Sequence, residues 1–290
     1  VAFNEIGYIE PIQAQQFITL ASISMAHPNA PVNKQTMIGS GQHIYASLEN
    51  LYIAQASLRL FNPLTNDILP TYTEKTYLTK FALAEGKIKF SATGSVKGHI
   101  LNQFSMDEYD KHFRIATTIG YVGNPDDPST NNVYVLDSNM RHTGALEGLA
   151  PGEKIYSVRF TGKKGYVVTF VSTDPLFVLD LSDHGKPNVL GELKIPGYSD
   201  YLHPYDENHI IGLGKDATGG NEYFSWYQGI KIALFDVSDV NNPVEKYTEI
   251  IGHRGTDSEA LHNHKAFLFD REKNLLCIPI TLAEIDESSG

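Results

Sequence analysis

The sequence carries two copies of one strand-and-turn pattern and a weaker third copy. They read Pro175-Leu-Phe-Val-Leu-Asp-Leu-Ser-Asp-His-Gly-Lys-Pro187, Ile232-Ala-Leu-Phe-Asp-Val-Ser-Asp-Val-Asn-Asn-Pro243 and Asn132-Val-Tyr-Val-Leu-Asp-Ser138. The Asp residues that end the apolar stretches are 43 and 56 residues apart. A strand-rich unit that repeats at roughly 40 to 50 residues is typical of a β-propeller blade. The repeat therefore predicts an all-β propeller of four-stranded antiparallel blades.

The strand pattern around these repeats predicts the number of blades. Hairpins of two inner strands are predicted at residues 42–54, 100–117, 155–170, 201–213 and 260–280, because β-favouring residues flank a polar turn in each. Two outer strands follow in most repeats, at residues 76–92, 132–149, 176–194 and 231–250. Strands at residues 17–23 and 35–38 precede the first hairpin. We expect about five blades in one domain over residues 1–290, forming either a closed ring or part of a larger propeller.

Composition excludes several classes of partner. The chain has 290 residues, a formal charge of −11 and no block of Lys and Arg. This acidic balance argues against nucleic acid and anionic membranes as partners. No apolar run approaches the roughly 18 residues of a spanning helix, so we expect no membrane insertion. The single cysteine, Cys277, excludes a disulfide framework within the chain and is expected in a buried strand.

Long connections between the second and third strands of a blade indicate where function lies. They are predicted at residues 55–75, 119–131 and 214–229, and the last contains the only tryptophan, Trp226. In a propeller these connections share a face with the links between blades, and binding residues concentrate on long loops held by a rigid scaffold. We expect a protein, peptide or glycan partner on this face. The favoured interpretation of Trp226 itself is a plug that packs onto the top of its blade.

Two inner-strand segments predict a metal site. Ser199-Asp-Tyr-Leu-His203 and Ser258-Glu-Ala-Leu-His262 share the order Ser, acid, any residue, Leu, His. Equivalent positions of a repeat meet around the channel, so Asp200 and Glu259 are expected beside His203 and His262. Imidazole and carboxylate groups suit a transition metal, copper first and zinc second. A structural hydrogen-bond network of the kind that WD repeats keep is the competing interpretation.

Further residues extend this metal-site hypothesis. His264, His43 and His253 also fall near the starts of inner strands or in links between blades, and are candidate ligands. With an open coordination position, Glu259 or Asp200 would act as general base in a metal-dependent hydrolase, including a peptidase. The competing function is a non-catalytic scaffold for protein or glycan. Calcium is a further candidate in Asn124-Pro-Asp-Asp-Pro-Ser-Thr-Asn-Asn132, which has the composition of a calcium loop without its register.

Several motifs resemble one family. They are Gly197-Tyr-Ser-Asp-Tyr-Leu-His-Pro204, Ile230-Lys-Ile-Ala-Leu-Phe-Asp-Val-Ser-Asp239, Arg254-Gly-Thr-Asp-Ser-Glu-Ala-Leu261, Leu101-Asn-Gln-Phe-Ser-Met-Asp-Glu108 and Ala150-Pro-Gly-Glu-Lys-Ile-Tyr-Ser-Val-Arg-Phe160. The chain resembles the secreted beta-propeller domain proteins that are distantly related to WD repeats. The resemblance implies a secreted or cell-surface protein of archaea or bacteria with one propeller domain, usually longer than this chain. It implies no agreed activity, so no catalytic residue follows from it.

Overall fold

The structure is a computed structural model that describes residues 6–8, 16–57, 74–170, 174–221 and 224–285. Strands dominate this part of the chain, and its helical elements are short 3-10 turns. No helix there is long and apolar enough to cross a membrane. Contacts divide the chain into two compact units. The first unit comprises Val1–Gly120 and Asn132–Glu147, and the second comprises Tyr121–Asn131 and Gly148–Gly290.

The first unit begins with a partial sheet and continues with two four-stranded sheets. The partial sheet has strands β1 (Ile6–Gly7), β2 (Phe17–Ser22) and β3 (Asn33–Ile38), with β1 parallel to β3 and β2 antiparallel to it. The next sheet has β4 (His43–Ala46), β5 (Asn50–Ser57), β6 (Lys75–Ala84) and β7 (Lys87–Lys97) in sequence order. The third has β8 (Met106–Tyr109), β9 (His112–Ile119), β10 (Thr130–Leu136) and β11 (His142–Leu149), the ends of the last two reaching into the second unit.

The second unit repeats the four-stranded sheet twice and ends on a short hairpin. Its sheets are β12 (Lys154–Thr161), β13 (Lys164–Phe170), β14 (Asp174–Asp180) and β15 (Asn188–Ile195), then β16 (Tyr198–Pro204), β17 (His209–Asn221), β18 (Phe224–Asp236) and β19 (Val244–Ile251). Strands β20 (Leu268–Asp270) and β21 (Leu275–Cys277) form the hairpin. Four complete sheets and two partial ones make about five blades, which confirms the predicted all-β propeller class.

Neighbouring blades within the second unit pack with their first strands side by side. Ser157 on β12 donates its hydroxyl to the carbonyl of Ser199 on β16 at 2.6 Å. Arg159 donates from Nε to the carbonyl of Leu202 at 2.9 Å. Side chains alternate across each sheet, so Leu202 joins the core shared with the preceding blade, while Tyr201 packs against the following one. Strand β16 therefore packs on both of its faces.

In three blades the repeated Asp lies at the end of the third strand and caps the turn that follows. Asp137 accepts the backbone N–H groups of Asn139 and Arg141 at 2.8 and 2.9 Å. Asp180 accepts the backbone N–H of Ser182 at 2.9 Å. Asp236 accepts both the backbone N–H and the hydroxyl of Ser238, at 3.0 and 2.6 Å. These bonds give partners to backbone N–H groups of the turns that have none within the sheet. They also lower the pKa of all three carboxyl groups.

The same turns pack against a glycine of the preceding blade. A Cβ at Gly94 on β7 would lie 2.7 Å from the carbonyl oxygen of Met140, which follows the turn of Asp137. A Cβ at Gly191 on β15 would overlap the carbonyl oxygen of Val240, which follows the turn of Asp236. The turn and the glycine are therefore complementary parts of one joint between blades.

A buried arginine stabilises the third sheet of the first unit. Arg114 on β9 is 1% exposed. Its guanidinium donates from Nε and Nη2 to Asp107, the Nε bond being 2.9 Å long, and lies 5.0 Å from the ring centroid of Tyr109. Tyr45 of the neighbouring blade also reaches Asp107 at 3.4 Å. A charge buried this deeply requires its partner.

The sequence predicts a loop at residues 214–229, but the structure has the paired strands of a β-hairpin there. Strand β17 continues to Asn221 and β18 begins at Phe224, with pairs such as Ala217↔Tyr227 and Thr218↔Trp226. Pairing of β16 with β17 stops at Lys215, so the segment beyond it is a two-stranded hairpin that extends past the rest of the sheet. Two bulges interrupt the pairing, one between Lys215 and Ala217 and one between Thr218 and Gly220.

Two predicted inner strands also begin later than expected. Gln103–Ser105, Glu259–Leu261 and His264–Ala266 form 3-10 turns, and the strands start at Met106 and Leu268. Asn102 and Asn263 cap these turns by accepting the backbone N–H groups of Phe104 and Lys265, at 2.9 and 3.2 Å. A side chain that bonds its own backbone in this way competes with strand formation. The segment that carries Glu259 and His262 is therefore not a strand equivalent to β16.

Candidate functional site

A groove of about 410 Å³ lies on the second unit, where the extended hairpin meets the connection after β19. It is lined by Lys215, Trp226, Tyr227, Gln228, Arg254, Gly255, Thr256 and Asp257. A second, more polar depression of about 550 Å³ shares Gln228 and adds Asp216, Ile250, Gly252, His253 and Glu284. Concave sites that combine aromatic rings with a few placed polar groups are the usual sites of ligand binding. This groove occupies the face on which the sequence predicts a partner.

The connection at residues 252–257 is held in place by the segment at residues 281–285. His253 donates its backbone N–H to Ala283 at 2.8 Å, and Asp257 exchanges two backbone bonds with Thr281 at 2.9 and 2.8 Å. Thr256 donates its hydroxyl to the carbonyl of Ala283 and accepts that residue's N–H, both at 3.0 Å. One wall of the groove is thus a fixed surface formed by hydrogen bonds rather than by a regular sheet.

Lys215 joins the hairpin to this connection. It lies at the last paired position of β16 and β17, opposite Tyr198. Its ammonium donates to the carbonyl of Thr256 and, at 3.2 Å, to Oδ1 of Asp257. The Lys215 side chain is 15% exposed, whereas that of Asp257 is 58% exposed. The Lys215 side chain is therefore largely buried in contacts within the protein, whereas part of the Asp257 carboxylate faces solvent.

Asp200 occupies a β-bulge beside this pair. The register of β16 against β17 runs from Ser199↔Gly214 to Tyr201↔Leu213, so Asp200 has no partner across the strands. Burial, opposed by the charge of Lys215 and reinforced by that of Asp257, raises the pKa of Asp200 to about 7. The same lysine helps to hold the pKa of Asp257 low: burial there acts upward, but hydrogen bonds from Lys215 and Ser258 outweigh it. Two neighbouring carboxyl groups thus have opposite tendencies to hold a proton.

Aromatic rings form the other wall of the groove. The guanidinium carbon of Arg254 lies 4.6 Å from the ring centroid of Trp226, a cation–π stack. The ring of Tyr227 meets that of Tyr198 edge to face at 5.2 Å, and Tyr198 in turn contacts Phe170 at 5.0 Å. Trp226 and Tyr227 remain 45% and 42% exposed. Aromatic surface is therefore presented to solvent on a ring cluster that continues into the blade.

His203 contacts aromatic rings of the last hairpin rather than the groove. Its ring centroid lies 5.0 Å from that of Phe267 and 5.1 Å from that of Phe269. Its Nδ1 is 3.1 Å from the hydroxyl of Tyr201. Burial, followed by the charge of Arg159, lowers the pKa of His203, so the neutral ring is favoured. This is the hydrogen-bonded arrangement that the competing sequence interpretation describes.

The other predicted residues of the second unit lie on turns near the groove. Glu259 begins the 3-10 turn and accepts a bond from Asn263 at 3.1 Å, and His262 ends it close enough to Asp257 to lower that carboxyl's pKa. His264 begins the next 3-10 turn. His253 uses Nδ1 to accept the backbone N–H of Ile285 at 3.2 Å, so Nε2 carries the proton of the neutral ring and is a donor.

His43 belongs to the first unit, on β4, where burial lowers its pKa. Within the described ranges, no group of three or more His, Cys, Asp or Glu side chains is arranged to hold a metal ion. The predicted copper, zinc and calcium sites therefore stay predictions. Their residues are individually placed, but the described contacts do not assemble them.

Sequence reasoning missed two members of this site, Lys215 and Asp257. The sequence predicts a loop at Lys215, so it gives no sign that this residue pairs with Tyr198 across two strands. Asp257 lies inside the motif that begins at Arg254, in which the sequence pattern singles out Glu259 instead. A buried lysine close to two acids could be recognised once the strand register was known.

Comparisons with known proteins agree with this architecture. A family model described as a beta propeller domain matches residues 1–290. An uncharacterised protein of Methanocaldococcus jannaschii is 46% identical over 208 residues, which is 71% of this chain and 31% of that protein. An uncharacterised protein of Archaeoglobus fulgidus is 42% identical over 206 residues, 71% of this chain and 30% of that protein. The chain thus matches about a third of the length of these curated relatives.

Proposed function

Because the chain belongs to the beta propeller domain family, whose fold by itself defines no activity, we propose from the groove that it is a non-catalytic scaffold for a polypeptide partner. The groove between the β17–β18 hairpin and residues 252–257 receives an extended segment of that partner. The observation that carries this proposal is the stack of Arg254 on the exposed indole of Trp226, at 4.6 Å.

The residue types of the groove favour a polypeptide. Trp, Tyr and Arg are the side chains that most often dominate the free energy of protein–protein binding. Here Trp226, Tyr227 and Arg254 lie together around about 410 Å³ of open volume. The cluster behind them, through Tyr198 and Phe170, keeps Tyr227 in place. A partner side chain that inserts beside Trp226 would be desolvated there. Binding would need little rearrangement of the groove surface, because the aromatic rings already pack together.

The charges of the groove add selectivity. Asp257 presents a carboxylate to solvent, while Arg254 presents a guanidinium a few residues away. A segment with a basic residue next to a carbonyl or acidic group satisfies both, whereas a segment with one sign of charge satisfies one and opposes the other. Electrostatic complementarity of this kind selects partners more than it adds affinity.

Selection of peptides tests the proposal. The protein is immobilised and exposed to random peptides displayed on phage, and the peptides recovered are titrated against variants by calorimetry. Trp226→Ala should weaken binding by roughly thirtyfold, about 2 kcal/mol, as expected for a central aromatic contact. Tyr247→Ala is the matched control, because Tyr247 is an aromatic residue 67% exposed on β19 and outside the groove.

Two outcomes would overturn this proposal. One is that no peptide binds saturably, and the other is that Trp226→Ala and Tyr247→Ala have equal effects. A parallel screen on immobilised glycans separates the alternative ligand class. Saturable binding of a glycan that depends on Trp226, with no peptide recovered, would assign the groove to sugars instead.

A metal-dependent hydrolase is the second candidate function. Asp257 interacts electrostatically with both Asp200 and His262, so an acid-rich neighbourhood with an exposed imidazole exists at one edge of the groove. Copper or zinc bound there by His262, with His203, His264 or His253 as further ligands, remains a prediction. Metal analysis of untagged protein equilibrated with each ion tests it. His262→Ala and His203→Ala should each abolish stoichiometric uptake, and unchanged uptake in both excludes this site.

Catalysis by that site is a separate question. Glu259→Gln should lower hydrolysis of a peptide pool while metal content stays the same, if Glu259 is the general base. If the metal-loaded protein hydrolyses the peptide pool no faster than the metal-free form, the hydrolase function is excluded and the scaffold function is favoured. The secreted or cell-surface location that the family resemblance implies also stays a prediction, and fractionation of the producing cells with an antibody to this chain tests it.

A further inference from the structure

A cavity of about 420 Å³ lies within the first unit, between the partial sheet and the outer strands of the next blade. It is lined by Ile6, Gly7, Tyr8, Gln35, Thr36, Met37, Thr79, Phe81, Phe90 and Thr93. Strands β1 and β3 supply one side, and β6 and β7 supply the other. Its volume falls within the range of small-molecule sites.

The walls of this cavity are largely apolar and contain aromatic rings. Met37 and Phe81 are 6% and 3% exposed and belong to the core between these sheets. The ring of Phe81 meets that of Phe90 edge to face at 6.2 Å and 80°. Phe90 and Tyr8 are about half exposed, so aromatic rings also stand at the entrance. A flat apolar molecule would find ring faces and edges on several sides.

One buried hydroxyl in the wall lacks a hydrogen bond. Thr79 is 2% exposed, and its Oγ1 has no partner among the residues that the structure describes. A buried hydroxyl without a partner is unfavourable, because it has lost the hydrogen bonds that water gives it in the unfolded chain. Thr36, which also lines the cavity, differs, because its hydroxyl lies 2.9 Å from that of Thr19. Thr79 is thus a polar group within an apolar wall whose hydrogen bond must come from elsewhere.

We propose that this cavity binds a small amphipathic molecule with a flat hydrophobic body and one hydroxyl group. The body lies against Met37, Phe81 and Phe90, and the hydroxyl exchanges a hydrogen bond with Oγ1 of Thr79. A hydroxyl suits this position because it can donate to Thr79 or accept from it. The apolar body is recognised by burial, and the single polar contact gives orientation and selectivity.

A pair of ligands that differ only in the polar group tests the proposal. The probes are 2-naphthol and 2-methylnaphthalene, titrated into the whole chain and followed by fluorescence. Thr79→Val keeps the shape of the side chain and removes the hydroxyl. It should weaken 2-naphthol about five- to tenfold and leave the affinity for 2-methylnaphthalene unchanged, which is the size expected for one hydrogen bond.

Two further variants complete the experiment. Thr93→Trp, directly opposite Thr79 across β6 and β7, should fill the cavity and abolish binding of both probes. Thr143→Val is the matched control, because Thr143 is exposed on β11 in the same unit, and it should change neither affinity. Circular dichroism confirms that each variant is folded. The proposal fails if neither probe saturates, if Thr79→Val weakens both probes equally, or if Thr93→Trp binds them as the parent does.

Discussion

Nζ of Lys215 lies 3.2 Å from Oδ1 of Asp257, and this contact joins a β-hairpin to a connection of irregular structure. The lysine also donates to the carbonyl of Thr256, so one ammonium fixes two consecutive residues of the connection. Asp200 on the neighbouring bulge lies in the field of both charges. The shape of the groove and the protonation of Asp200 therefore depend on the same side chain.

Replacing Lys215 by methionine should release the connection and change the titration of Asp200. Methionine keeps an unbranched apolar side chain but cannot donate to Thr256 or Asp257. The amides of residues 252–257 should exchange hydrogen faster, and the pKa of Asp200 should rise further above about 7, because Lys215 is the charge that lowers it. Hydrogen exchange and NMR titration measure these effects. Lys194→Met, on a side chain 66% exposed, is the control and should change neither.

The stability of the protein should fall as pH rises through the range in which Asp200 titrates. The pKa of Asp200 is raised to about 7 in the folded chain, against about 3.9 when unfolded. Between these values the folded state holds a proton that the unfolded state has lost, so the free energy of unfolding decreases with increasing pH. Asp200→Asn should remove this part of the dependence and gain about 1 to 3 kcal/mol at pH 8.

Urea denaturation of both proteins at several pH values measures this difference. The low-pKa carboxyls, such as Asp180, act in the opposite direction and below pH 4, where their protonation on acidification destabilises the fold. A parallel pH dependence of the parent and Asp200→Asn would show that Asp200 keeps its ordinary pKa.

Removing the partner of the buried arginine should be costly. Asp107→Asn leaves the guanidinium of Arg114, which is 1% exposed, without its carboxylate. Loss of one member of such a pair typically destabilises by about 3 to 5 kcal/mol. Urea denaturation measures it, with Glu249→Gln on the exposed face of β19 as the control. A loss no larger than that of the control would mean that Arg114 finds another acceptor.

Alanine at Gly191 should separate two blades of the second unit. Its methyl group would overlap the carbonyl oxygen of Val240, and backbone atoms of Asn241 lie next to it, so no flexible side chain can yield. We expect a loss of about 2 to 4 kcal/mol, in the range of overpacked cores. Gly41→Ala is the matched control, because its nearest neighbours would be side-chain carbons at 3.8 and 3.9 Å. Thermal unfolding of the two variants measures the difference. Equal melting temperatures would show that the contact of Gly191 with the backbone of Val240 and Asn241 does not stabilise the packing of these blades.

Repeated local chemistry made most of the fold predictable. The apolar third strand, its terminal Asp and the turn after it appear at each expected position, because Asp236 and its equivalents satisfy the turn by contacts a few residues away. Errors arose where local signals conflict. Asn102 and Asn263 cap 3-10 turns in segments whose composition favours strands, and the glycines of residues 214–221 lie in a strand that tolerates them through bulges.

The site was less predictable, because it depends on contacts between segments far apart in sequence. Residues Lys215 and Asp257 are 42 apart, and nothing local to either indicates the other. The surroundings of His203 depend on distant residues in the same way, because its ring packs against Phe267, which lies far along the chain. Connection lengths predict a face for the site, whereas the contacts between Lys215, Asp257 and Asp200 require the strand register.

The part of the β17–β18 hairpin that extends beyond Lys215↔Ile230 pairs with no third strand in the described structure. Its length can therefore change during evolution without altering the register of the sheet below. Side chains along a strand alternate between its two faces. Inserting two residues in each strand therefore deepens the groove and keeps the side chain at the position of Trp226 on the same face. A single-residue insertion turns that side chain to the opposite face. If the groove binds a partner as proposed, insertions of two residues in each strand of this hairpin change the groove and leave the blades the same.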